Sequence, residues 1–126
     1  MVTRSITVIK DATGSKIIEM YKQSDEFGAE LQEFINSGIM VDGIGLNAKH
    51  KFNSIACFAA QLVAHFKDGP GGIYLHSPTS NYKNKKKYWD KYRAEYYYEI
   101  DSDLKLRCWD CYKNKKIDLK EYNAKD

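Results

Sequence analysis

The fold is decided by residues 5–21, whose sequence is SITVIKDATGSKIIEMY. Two short runs rich in β-branched residues flank the segment DATGS, whose composition is typical of a tight turn. Gly14 in that segment can adopt a positive φ without steric cost, which suits a turn between two strands. We therefore expect an antiparallel β-hairpin over residues 5–21.

Two later stretches have the periodicity of amphipathic helices. The apolar residues of 25–37 recur at the spacing of one helical face, and so do those of 53–67. Gly38 follows the first stretch, and the segment DGPGG at 68–72 ends the second because proline cannot continue the helical ladder. Between the helices, residues 39–46 predict a short extended piece and a loop.

The second half of the sequence, residues 73–122, favours β-strands. Residues 83–87 read as a basic exposed segment, and the tyrosine-rich residues after them alternate as in one long strand. The expected strands are 73–76, 88–100, 104–112 and 117–122. We predict a single compact α+β domain over residues 1–126, with an antiparallel β-sheet and two helices.

Composition excludes several classes of protein. Lys and Arg number 20 against 17 Asp and Glu, and the net charge of +3 is low for a protein that coats DNA, so no DNA partner is expected. No run of 18 apolar residues and no signal-peptide pattern is present, so no membrane association is expected. The odd count of 3 cysteines indicates a reducing cytoplasm rather than a disulfide framework.

Motifs for catalysis, metals or cofactors are weak. The loop at 68–72 follows a helix and precedes a strand, which is the wrong order for a phosphate-binding loop, and a helix stop plus turn is the preferred interpretation. Cys108 and Cys111 have CxxC spacing, yet a strand places their sulfurs on opposite faces, so we expect buried cysteines and no metal site. No catalytic signature is present, and we expect neither an enzyme nor a cofactor.

A basic and aromatic cluster is the feature with most chemical content. Residues 81–93 hold six cations and one carboxylate, a local charge of +5, interleaved with Tyr and Trp. Arg107 and Trp109 lie two apart on a predicted strand and hence on one face. Aromatic rings stack on bases, and Arg and Lys neutralise phosphates, so a nucleotide ligand fits these residues. A solvated lysine loop beside structural tyrosines is the competing interpretation.

Four stretches of the chain resemble a family of small phage and prophage proteins, the Thoeris anti-defence proteins of the first type. These stretches are TRSITV at 3–8, MYKQSD at 20–25, GAEL at 28–31 and AAQLVAHFKDGPGGIYL at 59–75. The resemblance covers roughly residues 3–76. This sequence departs from the family in having Lys22 where members often have Arg, and in a shortened loop before the first helix.

The resemblance implies a protein that is not an enzyme. Members act as sponges: they bind a cyclic ADP-ribose isomer made by a bacterial TIR-domain immune enzyme and hold it without cleaving it. They are homo-oligomers, dimers or higher, with pockets near subunit boundaries, and some hold cyclic oligonucleotides in a second pocket. The implied location is the cytoplasm of the bacterial host.

Candidate ligand contacts are chosen on chemistry alone. Trp109 or Tyr82 would stack on the adenine, and guanidinium and ammonium groups would meet the pyrophosphate. The full set of candidate ligand-binding residues is Lys22, His76, Asn81, Tyr82, Arg93, Arg107, Trp109 and Asp110. Two alternatives stay open: a module that binds RNA or single strands through the basic Tyr/Lys strand, and a hydrolase of the same nucleotide.

Overall fold

The computed structural model describes residues 3–24, 28–41, 51–69, 71–77 and 83–117. Within these ranges the chain forms eight strands and three helices, which confirms the predicted α+β class. The elements are β1 (Ser5–Lys10), β2 (Lys16–Lys22), α1 (Ala29–Asn36), β3 (Ile39–Val41), β4 (Lys51–Asn53), α2 (Ser54–Phe66), β5 (Ile73–His76), α3 (Lys86–Tyr92), β6 (Tyr96–Ile100), β7 (Leu106–Asp110) and β8 (Lys115–Ile117).

Six strands form one sheet in the order β5-β2-β1-β6-β7-β8. The β1–β2 hairpin is antiparallel, as predicted, and so are the outer pairs of the sheet. The central pair differs from the prediction, because β1 runs parallel to β6, with Ser5 opposite Tyr96 and Ile9 opposite Ile100. A parallel pair needs a long crossover, and the helices between β2 and β6 supply it. Strands β3 and β4 form a separate parallel pair.

Strand β1 is buried on both faces of the sheet. All five residues from Ser5 to Ile9 are 0% exposed. On one face Ile9 joins a core cluster with residues of α1 and α2, including Leu31 and Phe58. On the other face Ile6 and Val8 pack in a second cluster with Tyr88 of α3. The molecule therefore has three layers, since helices cover the sheet from both sides.

The predicted long strand at 88–100 is wrong. Residues Lys86–Tyr92 form the helix α3, and the strand begins only at Tyr96. Tyr88, Trp89 and Tyr92 follow a helical spacing that puts three rings on one face, and this face packs on the sheet. Arg93 therefore ends a helix instead of lying in a strand, with a left-handed φ of 57°. The described ranges thus contain three helices, whereas two were predicted.

The other predicted elements agree in type and differ at their ends. The observed α1 is shorter than the predicted helix at 25–37, of which residues 25–27 lie outside the described residues. Helix α2 and strands β5 and β7 fall at or within their predicted ranges. The predicted extended piece at 39–46 contains β3, but its residues 42–46 lie outside the described ranges, as do residues 118–122 of the last predicted strand.

The CxxC pair lies across the sheet, as the strand interpretation predicts. Cys108 is buried in the cluster under α1 and α2, whereas Cys111 is buried in the cluster under α3. Burial raises the pKa of the Cys111 thiol to about 12. Cys57 on α2 is the third cysteine and is partly exposed, and the three form no disulfide.

Replacement of Tyr88 by alanine tests the second core cluster. The ring is fully buried, stacks on Tyr97 at a centroid distance of 5.0 Å, and its hydroxyl accepts a hydrogen bond from Lys16 Nζ at 3.2 Å. We expect Tyr88→Ala to lower the free energy of unfolding by about 3 kcal/mol or more, measured by urea denaturation. The matched control Tyr112→Ala, at an exposed position, is expected to lower it by less than about 1 kcal/mol. Equal losses would contradict the assignment of α3 to the core.

Thiol labelling tests the placement of the cysteines. The thiolate is the reactive form, so a buried thiol with a raised pKa stays protonated and unreactive at about pH 8. We expect one fast-reacting thiol in the native protein and three after denaturation. The reaction with an aromatic disulfide reagent is measured by absorbance. The variant Cys57→Ser is expected to lose the fast reaction. Fast labelling of Cys108 or Cys111 in that variant would contradict this arrangement.

Candidate functional site

A cavity of about 650 Å³ opens at the corner of the sheet where β2 ends and β5 begins. Its volume is in the range of small-molecule sites in proteins. Chain segments that are distant in sequence meet here: the residue before β1, the end of β2, helix α1, the end of α2 and the start of β5. The described lining residues are Arg4, Lys22, Gln23, Ser24, Glu30, Phe66, Gly72 and Ile73.

The glycine turn before β5 forms one wall of this cavity. Gly71 and Gly72 have φ values of 79° and 77°, which side chains rarely adopt. The Gly72 N–H donates to Gln23 Oε1 at 3.1 Å, and the Gln23 N–H donates to the Gly72 carbonyl at 2.9 Å. Lys67 Nζ donates to the carbonyls of Gly71 and Ile73, both at 2.9 Å. These bonds fix the turn against the end of β2, as expected for a helix stop and turn.

The two cations among the described lining residues have different surroundings. Lys22 Nζ lies 3.0 Å from Glu30 Oε1 and 4.8 Å from the centroid of the Phe66 ring. The Lys22 side chain is only 6% exposed, whereas that of Glu30 is 38% exposed. The guanidinium of Arg4 makes no hydrogen bond or ion pair with the part of the chain that the structure describes. Among the described residues, the cavity thus combines an ammonium paired with a carboxylate and a guanidinium without such a partner.

His76, one of the predicted ligand contacts, lies away from the cavity. It projects from the opposite face of the sheet from Lys22, as the register of β2 and β5 shows. Its ring stacks between Tyr21 and Tyr92, at centroid distances of 5.7 and 4.4 Å. Its Nδ1 lies 3.4 Å from Oε2 of the buried Glu19, without the alignment of a hydrogen bond. The imidazole is part of the packing under α3.

Arg107 and Trp109 lie on one face of β7, as the sequence predicts, yet each already has a partner. Arg107 Nη1 donates to Asp101 Oδ2 at 2.8 Å, and this bond raises the pKa of the guanidinium. The Trp109 ring meets Tyr97 edge to face at a centroid distance of 5.5 Å. Asp110 lies on the other face, where its Oδ1 accepts from a backbone N–H of the following turn at 3.0 Å. These contacts serve the sheet and its turns.

The predicted contacts therefore do not meet in one place. Lys22 lines the cavity, whereas Arg93 ends α3 with its guanidinium 5.3 Å from the Trp89 ring centroid. Asn81 and Tyr82 lie outside the described residues. Lys22 is thus the one predicted contact that the described part of the chain brings to the cavity.

Sequence reasoning missed most of the cavity residues, although a signal for them exists. Arg4, Gln23, Ser24 and Phe66 are of ordinary types, and no spacing rule connects them. All eight described lining residues, however, fall within the stretches 3–8, 20–25, 28–31 and 59–75 that the sequence analysis singled out. The positions of these stretches therefore anticipate the lining of the cavity better than the chemistry of single residues does.

Among the described residues, no group of three or more His, Cys, Asp or Glu is placed to hold a metal ion. No helix in the same ranges has the length and hydrophobicity needed to cross a lipid bilayer.

Comparison with known proteins gives no relative: no family model, no curated protein and no solved structure matches this chain. Assignment of a function therefore depends on the geometry of the cavity and on the chemistry of its lining.

Proposed function

We propose that this chain is a non-enzymatic phage anti-defence protein that binds a cyclic ADP-ribose isomer in the cavity of Arg4 and Lys22. The ligand, made by a TIR-domain immune enzyme, would be held unaltered and so kept from its effector. The observation that carries the proposal is the position of the lining residues in the sequence. Every described lining residue comes from the stretches that resemble the sponge family.

The lining also suits the chemistry of the ligand, which contains an adenine, two riboses and a pyrophosphate. Arg4 and Lys22 carry the donors that pyrophosphate oxygens accept from, and a guanidinium can bind two of those oxygens at once. Phe66 offers an aromatic wall for the adenine. Gln23 and Ser24 supply amide and hydroxyl groups for ribose hydroxyls.

A sponge acts by stoichiometry, so its affinity must be high. Nanomolar binding corresponds to about −12 kcal/mol. One aromatic stack contributes roughly 1–3 kcal/mol, and hydrogen bonds to charged groups contribute about 1.5–3 kcal/mol each. Several such contacts are available here, and a second subunit over the open side would add more. A homo-oligomer is accordingly part of the proposal.

The lining favours binding over hydrolysis. Hydrolysis of a glycosidic or phosphoester bond needs a positioned base or nucleophile. Neither His nor Cys occurs among the described lining residues, and the carboxylate of Glu30 is engaged by Lys22 at 3.0 Å. Tight retention without turnover fits these groups.

Neutralising Arg4 tests the location of the site. We expect Arg4→Gln to weaken binding of cyclic ADP-ribose isomers by at least tenfold in calorimetry, because a charge-assisted phosphate contact is lost. The control Lys105→Gln, at an exposed turn, is expected to leave the affinity unchanged. Loss of binding in Arg107→Gln but not in Arg4→Gln would place the ligand at Arg107 and Trp109 instead. Heat-denatured complex should return the ligand intact by mass spectrometry, and recovery of cleaved products would indicate a hydrolase.

Removing the carboxylate beside Lys22 gives a prediction of opposite sign. Glu30 neutralises this ammonium at 3.0 Å, so an anionic ligand must compete with it. We expect Glu30→Gln to tighten ligand binding by roughly threefold to tenfold, measured in the same calorimetric assay. Weaker binding in this variant would show that the carboxylate itself contacts the ligand, which contradicts its role as a competing anion.

A further inference from the structure

Two lysine runs that are distant in sequence meet on the face of the sheet that carries α3. One run lies at 83–87, before and within the start of α3, and the other lies at 113–116, across the turn after β7 and the start of β8. The Lys85 N–H donates to Asn114 Oδ1 at 2.9 Å, which ties the two segments together. Lys85 Nζ and Lys116 Nζ lie 5.5 and 5.9 Å from the centroid of the same Trp109 ring.

The result is a dense positive surface, here called the lysine patch. Its exposed members are Lys83, Lys86, Lys87, Lys113 and Lys116, whereas Lys115 pairs with Asp110 and lies on the other face of the sheet. Five ammonium groups from two short segments create a local potential far stronger than the net charge of +3 of the whole chain indicates. Such a patch attracts an anionic partner that presents several charges at once.

The lysine patch has a rigid base. Lys85 is half-buried with its Nζ 4.1 Å from the centroid of the Tyr97 ring, and burial lowers the pKa of this ammonium. Trp109 beneath it packs on the same Tyr97 ring. Lys85 therefore belongs to the packing, while the exposed lysines around it face outward from a fixed frame.

An exposed aromatic ring lies within the patch. Tyr112 is 59% exposed, and Lys86 Nζ lies 5.7 Å from the centroid of its ring. The ring meets Trp89 of α3 edge to face at 5.3 Å, which holds its orientation. An oriented, exposed ring beside ammonium groups is the combination that binds an unpaired base and its phosphates.

We propose that the lysine patch binds single-stranded nucleic acid, with phosphates on the exposed lysines and one base on Tyr112. A single strand is favoured over a duplex because only an unpaired base can stack on the ring. This site lies apart from the nucleotide cavity and uses none of its residues. The function of the patch does not depend on that of the cavity.

Binding of a fluorescein-labelled oligouridylate of about twelve nucleotides tests this proposal by fluorescence anisotropy. Contact with three or four phosphates predicts a slope of about −2 to −3 for the logarithm of affinity against the logarithm of salt concentration. The double variant Lys113→Gln/Lys116→Gln is expected to bind at least fivefold more weakly, with a slope reduced by about 1.4. Tyr112→Leu is expected to weaken binding roughly fivefold or more and to leave the slope unchanged.

The controls separate this site from the cavity and from other anions. Lys105→Gln and the cavity variant Arg4→Gln should both bind the oligouridylate as the wild type does. No binding at low salt would overturn the proposal. It would also be overturned if phosphatidylserine vesicles or duplex DNA bound as tightly and Tyr112→Leu had no effect, since the patch would then recognise negative charge alone.

Discussion

Pairing of β1 with β6 is the interaction on which the rest of the molecule depends. It joins the hairpin at the start of the chain to the strands of the second half, and it leaves β1 enclosed on both edges and both faces. A strand so enclosed requires apolar cover on each face. Helices α1 and α2 cover one face, and α3 covers the other. The cavity forms at one corner of this arrangement, and the lysine patch forms beside α3.

Elements with several agreeing local signals in the sequence were predicted correctly, and elements without such signals were missed. The hairpin was predictable because strand propensity, a turn with Gly14 and alternating apolar residues all agree. Helix α3 was not, since its seven residues are too few to distinguish a helical period from alternation, and Tyr has a high preference for strands. The parallel β1–β6 pairing was also missed, because it depends on the crossover and leaves no local mark in either strand.

The chemistry of single residues indicated which side chains could bind a nucleotide. It could not show which of them are already bonded to a neighbour in the fold. Arg107, Trp109 and His76 have suitable groups, yet each is already engaged by a neighbour that the sequence does not reveal. Arg4 and Phe66 carry no distinctive spacing, because a cavity assembled from distant segments has no local pattern. The same is true of the lysine patch, whose second run at 113–116 joins the first only through the turn after β7.

The parallel central pair has a consequence for how the chain reaches its native state. The middle of the sheet forms only when Ser5 pairs with Tyr96. Because β6 comes far later in the sequence than β1, the hairpin emerges from the ribosome long before its principal partner. Closing so large a loop is entropically costly, and chains rich in such distant contacts fold slowly. During synthesis the β1 edge of the hairpin therefore remains unpaired and accessible to chaperones until β6 has been made.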